Sequence, residues 1–322
     1  MTANSDTLVT VFGGSGFLGR HVVRALAKRG YRIRVGVRRP ELAGHLQPLG
    51  KVGQIHAVQA NLRYPGSVAA ALRDASVAIN LVGILAKSGA QTFDAVHDKG
   101  AAAVAQAAAH ASARVVHVSA IGADAESASV YARSKAAGEA AVRAASPDSI
   151  IMRPSVVFGP EDDFTNRFAS LARLMPVLPL VGGGVTKMQP VYVGDVASAI
   201  ADAVDGTAKA GATYELGGPE VLTLREINQI ILTMTDRERP LVPLPFGLAS
   251  LNALLLQCAP SPFTLTRDQV TLLQSDNVVS EAAKAAGLTL EGLGITPDSI
   301  EAVAPQYLWR FRPQGQFQRK SA

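Results

Sequence analysis

Short apolar runs rich in valine and isoleucine recur near 8–12, 32–37, 54–59, 77–82, 114–119 and 149–153, with alanine-rich helical stretches between them near 17–29, 66–73, 94–111 and 131–145. Runs of that length without polar alternation predict strands buried on both faces. Their regular exchange with helices predicts a parallel sheet covered on both sides, with ligands beyond the C-terminal ends of its strands. After Gly159-Pro160 the pattern changes. A helix near 163–174 leads into a Pro- and Gly-broken segment through Gly184, then a strand-like stretch, Gln189 to Val193, before a helix at 195–204. A further strand, Thr213 to Leu216, ends at Gly217-Gly218-Pro219, and from Thr223 the chain is mostly helical with frequent prolines. The expected organisation is a sheet domain over 1–160, to which 186–219 returns, a smaller lobe from 161–185 and 220–309, and a basic tail over 310–322.

The first strand runs straight into Gly13, Gly16 and Gly19 and then into a helix. Gly13 permits the tight turn, Gly16 lets backbone approach a pyrophosphate, and Gly19 lets the new helix pack on its strand. Ser15, Phe17 and Leu18 lie within the same turn, where a helix N-terminus offers N–H groups to an anion. With strand before and helix after, the motif has the context it requires. The fold class is therefore expected to be α/β, a Rossmann-type doubly wound parallel sheet with a smaller, mostly helical C-terminal lobe.

Composition narrows the partners. Of 322 residues 48% are hydrophobic and 18% charged, which fits a folded α/β protein, and the net charge of +5 is scattered rather than clustered, so nucleic acid is set aside. The single cysteine, Cys258, excludes an intramolecular disulfide and a cysteine-cluster metal site; a buried apolar thiol is the simple reading. His21, His45, His56, His110 and His117 lack metal-ligand spacing, so no metal is expected. A first strand near Leu8 leaves no room for a leader, and a cytoplasmic location is expected.

At the end of the second strand, Val35-Gly-Val-Arg-Arg39, a protein selecting NAD would offer a carboxylate to the ribose 2′-hydroxyl, whereas this one offers Arg38 and Arg39. Guanidinium pairs with a 2′-phosphate, so the cofactor is expected to be NADP(H). Further on, Ser119 ends the fifth strand and Tyr131 opens a helix carrying Lys135 one turn later. Positions i and i+4 share a helix face, and a cation beside a phenol, whose free pKa is about 10, favours the phenolate. Ser119, Tyr131 and Lys135 are the candidate catalytic set, with the serine holding a carbonyl or hydroxyl beside the phenol.

Together, Gly13-Gly-Ser-Gly-Phe-Leu-Gly19, Asn80-Leu-Val-Gly83, Ser119 and Tyr131-Ala-Arg-Ser-Lys135 resemble the short-chain dehydrogenase/reductase superfamily in its extended or atypical branch. Ile151-Met-Arg-Pro-Ser-Val-Val-Phe-Gly-Pro160 and Tyr192-Val-Gly-Asp-Val196 look like that branch's later signatures. The resemblance implies cofactor contacts at Asn61-Leu62 beside the adenine, at Val82 and Gly83, and at Pro154 near the nicotinamide end, besides Tyr131 and Lys135. Asn61 stands where the family has aspartate, and His97, within Phe93-Asp-Ala-Val-His-Asp-Lys-Gly100, stands where catalytic members have an asparagine that supports a proton relay to the lysine. A narrower likeness lies in Phe158 to Phe168, Lys187 to Val193 and Asp268 to Val279, which are similar to the nucleotide-binding accessory subunit of respiratory complex I, the alpha-subcomplex subunit nine family, and its bacterial relatives. It implies a bound NADPH and a structural duty among complex I subunits.

Glu161 and Asp162 read as helix-start charges, and Asp195 as the cap of the helix it precedes. Leu241 to Thr266 contains no charged residue, and within it Phe246 to Ala259, between Pro245 and Pro260, is too short to cross a bilayer, so the stretch is either a core helix of the small lobe or a face for a membrane or partner. Trp309-Arg-Phe-Arg312 and Arg319-Lys320 pair aromatics with cations, which favours an anionic membrane surface and a peripheral place on the inner face of the cytoplasmic membrane. Two functions follow. One is an accessory or stabilising NADPH-binding protein of respiratory NADH:quinone oxidoreductase; the other is an active reductase on a small hydrophobic, carbonyl or quinone-related substrate, as in coenzyme Q synthesis. A sugar-nucleotide epimerase or dehydratase is disfavoured by Arg38, and a redox-sensing regulator stays open.

Overall fold

The computed structural model describes residues 4–257, 259–260 and 262–317, so Cys258, Arg319 and Lys320 lie outside the described residues. The chain divides into two compact units, the first built from 1–154, 194–216 and 280–295, the second from 155–193, 217–279 and the remainder. The longer helices are, in chain order, α1 (Phe17–Lys28), α2 (Pro65–Leu72), α3 (Lys99–His110), α4 (Val130–Ala145), α5 (Thr165–Leu174), α6 (Val193–Asp205), α7 (Leu224–Met234) and α8 (Phe246–Leu256).

In the first unit β1 (Leu8–Phe12), β2 (Arg32–Val37), β3 (Ile55–Gln59), β4 (Val77–Asn80), β5 (Arg114–Val118), β6 (Ile150–Pro154) and the strand Thr213–Leu216 form one sheet. Its order is Thr213–Leu216, β6, β5, β4, β1, β2, β3, with every pair parallel. Every residue of β1 and of β4 is buried, as central parallel strands require. The order reverses between β1 and β4, the switch point at which such sheets bind ligands. On one face Phe12, Leu62, Val68, Leu72, Val104, Val115 and Val142 form a core with the buried alanines of α3. Each fully buried large side chain there contributes about 1.5–3 kcal/mol. Alanine at these positions lets α3 and α4 lie close together. Gly138 on α4 is closest: a Cβ there would meet the His97 carbonyl oxygen at 2.1 Å.

Two local expectations are corrected. The stretch 94–111 is not one α-helix: Asp94–Asp98 forms a π-helical turn before α3. Asp195 does not precede its helix, because α6 starts at Val193 and places Asp195 inside the first turn. Of Gln189 to Val193, Val191–Tyr192 is strand, paired parallel with Val157–Phe158. The segment Ser280–Ile295 joins the first unit, where Ser280 N–H donates to the Glu215 carboxylate at 2.7 Å and Glu215 N–H to the Leu288 carbonyl at 2.9 Å.

The second unit is held by its own core, in which Phe158, Met188, Ile227, Ile231, Ile300, Val303, Leu308 and Phe311 are buried. Phe311 therefore turns inward rather than toward a surface. The α7 N-terminus carries a capping box, Thr223 with Glu226, and Asp162 accepts from the N–H groups of Gly159, Phe164 and Asn166, fixing the entry to α5.

Candidate nucleotide-binding site

The residues singled out in the sequence as cofactor contacts all fall in the first unit, most of them in the turns that follow its strands and at the start of α1, with Tyr131 and Lys135 on α4. Gly13 adopts a left-handed φ of +80°, and its N–H donates to the Gly36 carbonyl while its own carbonyl accepts from Gly16 N–H at 3.1 Å. Gly19 is buried against this turn: a Cβ there would stand 2.3 Å from the Gly13 oxygen and 2.5 Å from the Gly14 Cα. The turn delivers the chain to α1 with Gly16 as N-cap and no side chain capping it. Ser15, Phe17 and Leu18 surround that end. An α-helix of twelve residues whose first turn is met by backbone alone, behind a cradle with no room for a Cβ, fits the pyrophosphate of a dinucleotide.

Arg38 and Arg39 follow β2 directly and are exposed, and among the described residues neither side chain makes a hydrogen bond or ion pair with protein, while the Arg39 carbonyl accepts from Leu42 N–H. After β3, Asn61 accepts from Arg63 N–H at 3.1 Å through Oδ1, while Leu62 is buried in the core. Oδ1 keeps a second lone pair and Nδ2 its protons, so the amide can both accept from an adenine amino group and donate to a ring nitrogen. After β4, Asn80 uses both ends of its amide: Nδ2 donates to His117 Nδ1 at 3.2 Å and Oδ1 accepts from Val82 N–H at 3.1 Å. Leu81 N–H donates to the Phe12 carbonyl, so the loop bearing Val82 and Gly83 is tied to β1. Pro154 ends β6, where its carbonyl accepts from Ile121 N–H at 3.0 Å.

Ser119, Tyr131 and Lys135 lie in the same unit, and α4 holds the tyrosine and the lysine on one face with the ammonium 5.9 Å from the ring centroid. The Ser119 hydroxyl is buried and has no hydrogen-bond partner among the described residues. Orphaned hydroxyls of this kind cost stability and point to an absent ligand or water. Lys135 Nζ, also buried, donates to the Val118 carbonyl at 3.3 Å. Burial pushes its pKa from 10.5 down to about 8, with Glu139 pulling the other way.

His97 sits in the π turn, stacked on Phe93 and edge-on to Tyr131. Nε2 accepts from Ile84 N–H at 2.9 Å, so Nδ1 carries the proton and donates to Ser134 Oγ at 2.8 Å, which in turn donates to the Tyr131 carbonyl at 2.7 Å. Both ring nitrogens are spent, and burial together with Lys135 holds the ring neutral, its pKa pushed down to about 3. Ser134 is visible in the chain as the residue before Lys135, yet no local pattern assigns it this duty; Gly138 likewise signals its role only once α4 is placed against His97.

The lysine sets a pH dependence with a definite sign. The unfolded chain binds more protons than the folded one between about 8 and 10.5, so Lys135 costs stability fully below pH 8 and the cost fades as pH rises through that window. Lys135→Met is expected to be more stable than wild type at pH 7, by on the order of 3 kcal/mol at most, with the advantage shrinking toward pH 10. Urea midpoints of both proteins across that range test it, and a difference independent of pH would contradict the assignment.

Among the described residues no group of three or more His, Cys, Asp or Glu side chains converges as a metal site, and no helix is long and apolar enough to cross a membrane. Strand order, glycine turn and switch point define a Rossmann-type fold of the short-chain dehydrogenase/reductase kind. The chain belongs to the NAD dependent epimerase/dehydratase family, whose model matches residues 9–217. It is 36% identical over 97% of its length to NADH dehydrogenase [ubiquinone] 1 alpha subcomplex subunit 9, mitochondrial, of Arabidopsis thaliana, covering 79% of that protein. It is 37% identical over 62% of its length to the ceramide reductase of Caulobacter vibrioides, covering 61% of it. The crystal structure of Thermus thermophilus UDP-glucose 4-epimerase in complex with NAD shares the fold, with a TM-score of 0.65 at 20% identity over 95% of this chain and 99% of that one.

Proposed function

We propose that the protein binds NADPH and serves as an accessory or stabilising factor of respiratory NADH:quinone oxidoreductase, peripheral on the inner face of the membrane. The observation that carries this reading is the near full-length likeness to alpha subcomplex subunit 9. His97 supports it. In catalytic relatives a side chain at this place helps pass protons to the lysine, whereas here both imidazole nitrogens are committed to Ile84 and Ser134.

Gly13, Gly16 and Gly19 with the α1 N-terminus would hold the pyrophosphate, Arg38 and Arg39 the 2′-phosphate, and Lys135 the nicotinamide ribose. When bound, the coenzyme supplies a hydride donor. Held without turnover, it stabilises the fold by linkage, by about 2.7 kcal/mol at one hundred times its dissociation constant.

A second reading is favoured by one observation, the orphaned Ser119 hydroxyl in the unit that also holds Tyr131 and Lys135. In an active reductase Ser119 would donate to a substrate carbonyl, Tyr131 would deliver the proton through its hydroxyl, and Lys135 would tune that phenol. The likeness to a ceramide reductase supports a hydrophobic carbonyl substrate for this reading. Purification from the native membrane, identification of co-purifying subunits and NADPH absorbance with candidate quinones decide between the two. Respiratory subunits without turnover are expected; NADPH oxidation lost in Tyr131→Phe would instead make the protein an enzyme.

A further inference from the structure

The uncharged stretch of the second unit is a core helix on one side only. On α8, Ala249 and Ala253 are buried against Val181, Val270 and neighbours, while Leu248, Leu251, Leu254 and Leu255 are exposed, Leu251 by 61% and Leu255 by 80%. At 100° per residue the four leucines cover one arc and the two alanines the opposite one. The helix therefore docks through small residues and presents large ones, the reverse of a helix that completes a core. With eleven residues it is too short to span a bilayer, which takes about 20.

Beside it lies a concentration of arginine that sequence order conceals. Arg167 donates through Nε to the Pro262 carbonyl at 3.0 Å and also to the Thr264 carbonyl, both in the connection that follows α8, so that connection forms one side of the arginine cleft. Arg167, Ser170 and Arg173 of α5, with Arg310, line a cleft of about 480 Å³, to which Asp162, Asp163 and Asn166 also contribute. Arg173 and Arg310 both lie over the Phe311 ring, at 5.8 and 5.2 Å. Arg237 donates to the Phe311 carbonyl, Arg239 to that of Ala172 and Arg312 to that of Met234.

Among the described residues none of these six arginines forms an ion pair. Asp162, the buried carboxylate of the cleft, is occupied by three backbone N–H groups and the Thr165 hydroxyl, which leaves Asp163 as the acid that offsets Arg167. Mutual repulsion is felt within the cluster: burial lowers the Arg237 pKa, and Arg239 and Arg173 lower it further.

We propose that α8 lies in the interfacial layer of a bilayer and that the adjoining arginine cleft takes the phosphate of an anionic phospholipid. An apolar arc and an arginine cleft whose arginines form no ion pairs among the described residues, joined by the connection that follows α8, match the two ends of such a lipid. Charge complementarity favours a lipid surface over a second copy of the chain, whose own cleft would bring like charge to like. The proposal rests on the peripheral placement above and moves it from the C-terminal tail to a folded surface. It does not depend on the coenzyme.

Co-sedimentation of the full chain with phosphatidylcholine vesicles, and with vesicles that also contain phosphatidylglycerol, tests it. Wild type is expected to partition to the anionic vesicles about tenfold more strongly, the step given by one to two surface arginines. Leu251→Gln combined with Leu255→Gln should abolish sedimentation with either vesicle. Arg173→Gln, which removes a side chain with no hydrogen bond to lose, should lower binding to the anionic vesicles about fivefold. Thermal unfolding midpoints equal to wild type show that both variants fold, and soluble glycerophosphate should not compete. Equal partition to both vesicle types, variants that bind as wild type does, or competition by glycerophosphate overturns the proposal. So does a wild-type chain that stays in the supernatant, whether alone, as a dimer or bound to a protein partner. Since the assay contains no nucleotide, failure here is separate from failure of the coenzyme reading.

Discussion

Gly19→Ala is expected to weaken NADPH binding about 100-fold, or about 2.7 kcal/mol. The added Cβ would stand 2.3 Å from the Gly13 oxygen and 2.5 Å from the Gly14 Cα, both backbone atoms of the cradle itself. A flexible side chain could swing away from such a contact; a backbone turn anchored to β2 through Gly13 N–H cannot do so without moving the α1 N-terminus. Either the helix backs off the strand or the turn opens. In both cases the N–H groups that would meet the pyrophosphate leave their positions. Overpacking of this kind costs stability as well, about 1–3 kcal/mol, so the variant should unfold several degrees lower while remaining folded at room temperature. Titration of both proteins with NADPH by fluorescence, with circular dichroism to verify folding, measures the effect. An affinity within threefold of wild type would mean that nucleotide does not sit on this turn. Gly30 offers the internal comparison: it lies beyond α1 with open space around its Cβ position, and its positive φ makes Gly30→Ala a strain on the fold that leaves the cradle in place.

How much of this was legible depended on the range of the forces involved. The six strands of the opening domain were readable to within two residues: the central ones are apolar on both faces and so form unbroken runs, as Val77 to Ile79 does, while β2 and the edge strand β3 keep enough valine and isoleucine to stand out between helices. The glycine turn and the Tyr131 and Lys135 pair were readable because their function lies in local spacing. The π turn at Asp94–Asp98 carries no local signature. It stands where Gly138, distant in sequence, lets α4 press against the His97 carbonyl. Asp195 was misplaced because aspartate is favoured both as a cap and in the first turn, and composition alone does not separate the two. The orientation of α8 was readable in principle: alanines four apart stand opposite leucines at three and four. The arginine cleft was not, since Arg167 and Arg173 of α5 meet Arg310 only through tertiary packing.

NADPH is expected to bind at least tenfold more tightly than NADH, about 1.4 kcal/mol, and Arg38→Ala to erase the difference. The reason is what stands at the end of β2. Where a carboxylate would accept the ribose hydroxyls of NAD, Arg38 and Arg39 are exposed and their guanidinium groups have no hydrogen-bond or ion-pair partner among the described residues, so a 2′-phosphate meets guanidinium without first displacing a protein partner. An exposed pair is screened, so the preference should narrow as ionic strength rises from low salt to about 1 M, where the Debye length falls to about 3 Å. NADH binding should be indifferent to both changes, because it carries no charge at that position. Arg39→Ala is expected to act in the same direction and less strongly, since Arg39 leads directly into Pro40 and the turn beyond it. Titration calorimetry with each coenzyme on wild type and the two variants gives the comparisons required. Equal affinities in wild type would remove the basis for NADP(H); an intact preference in both variants would move the selecting group elsewhere in the first unit.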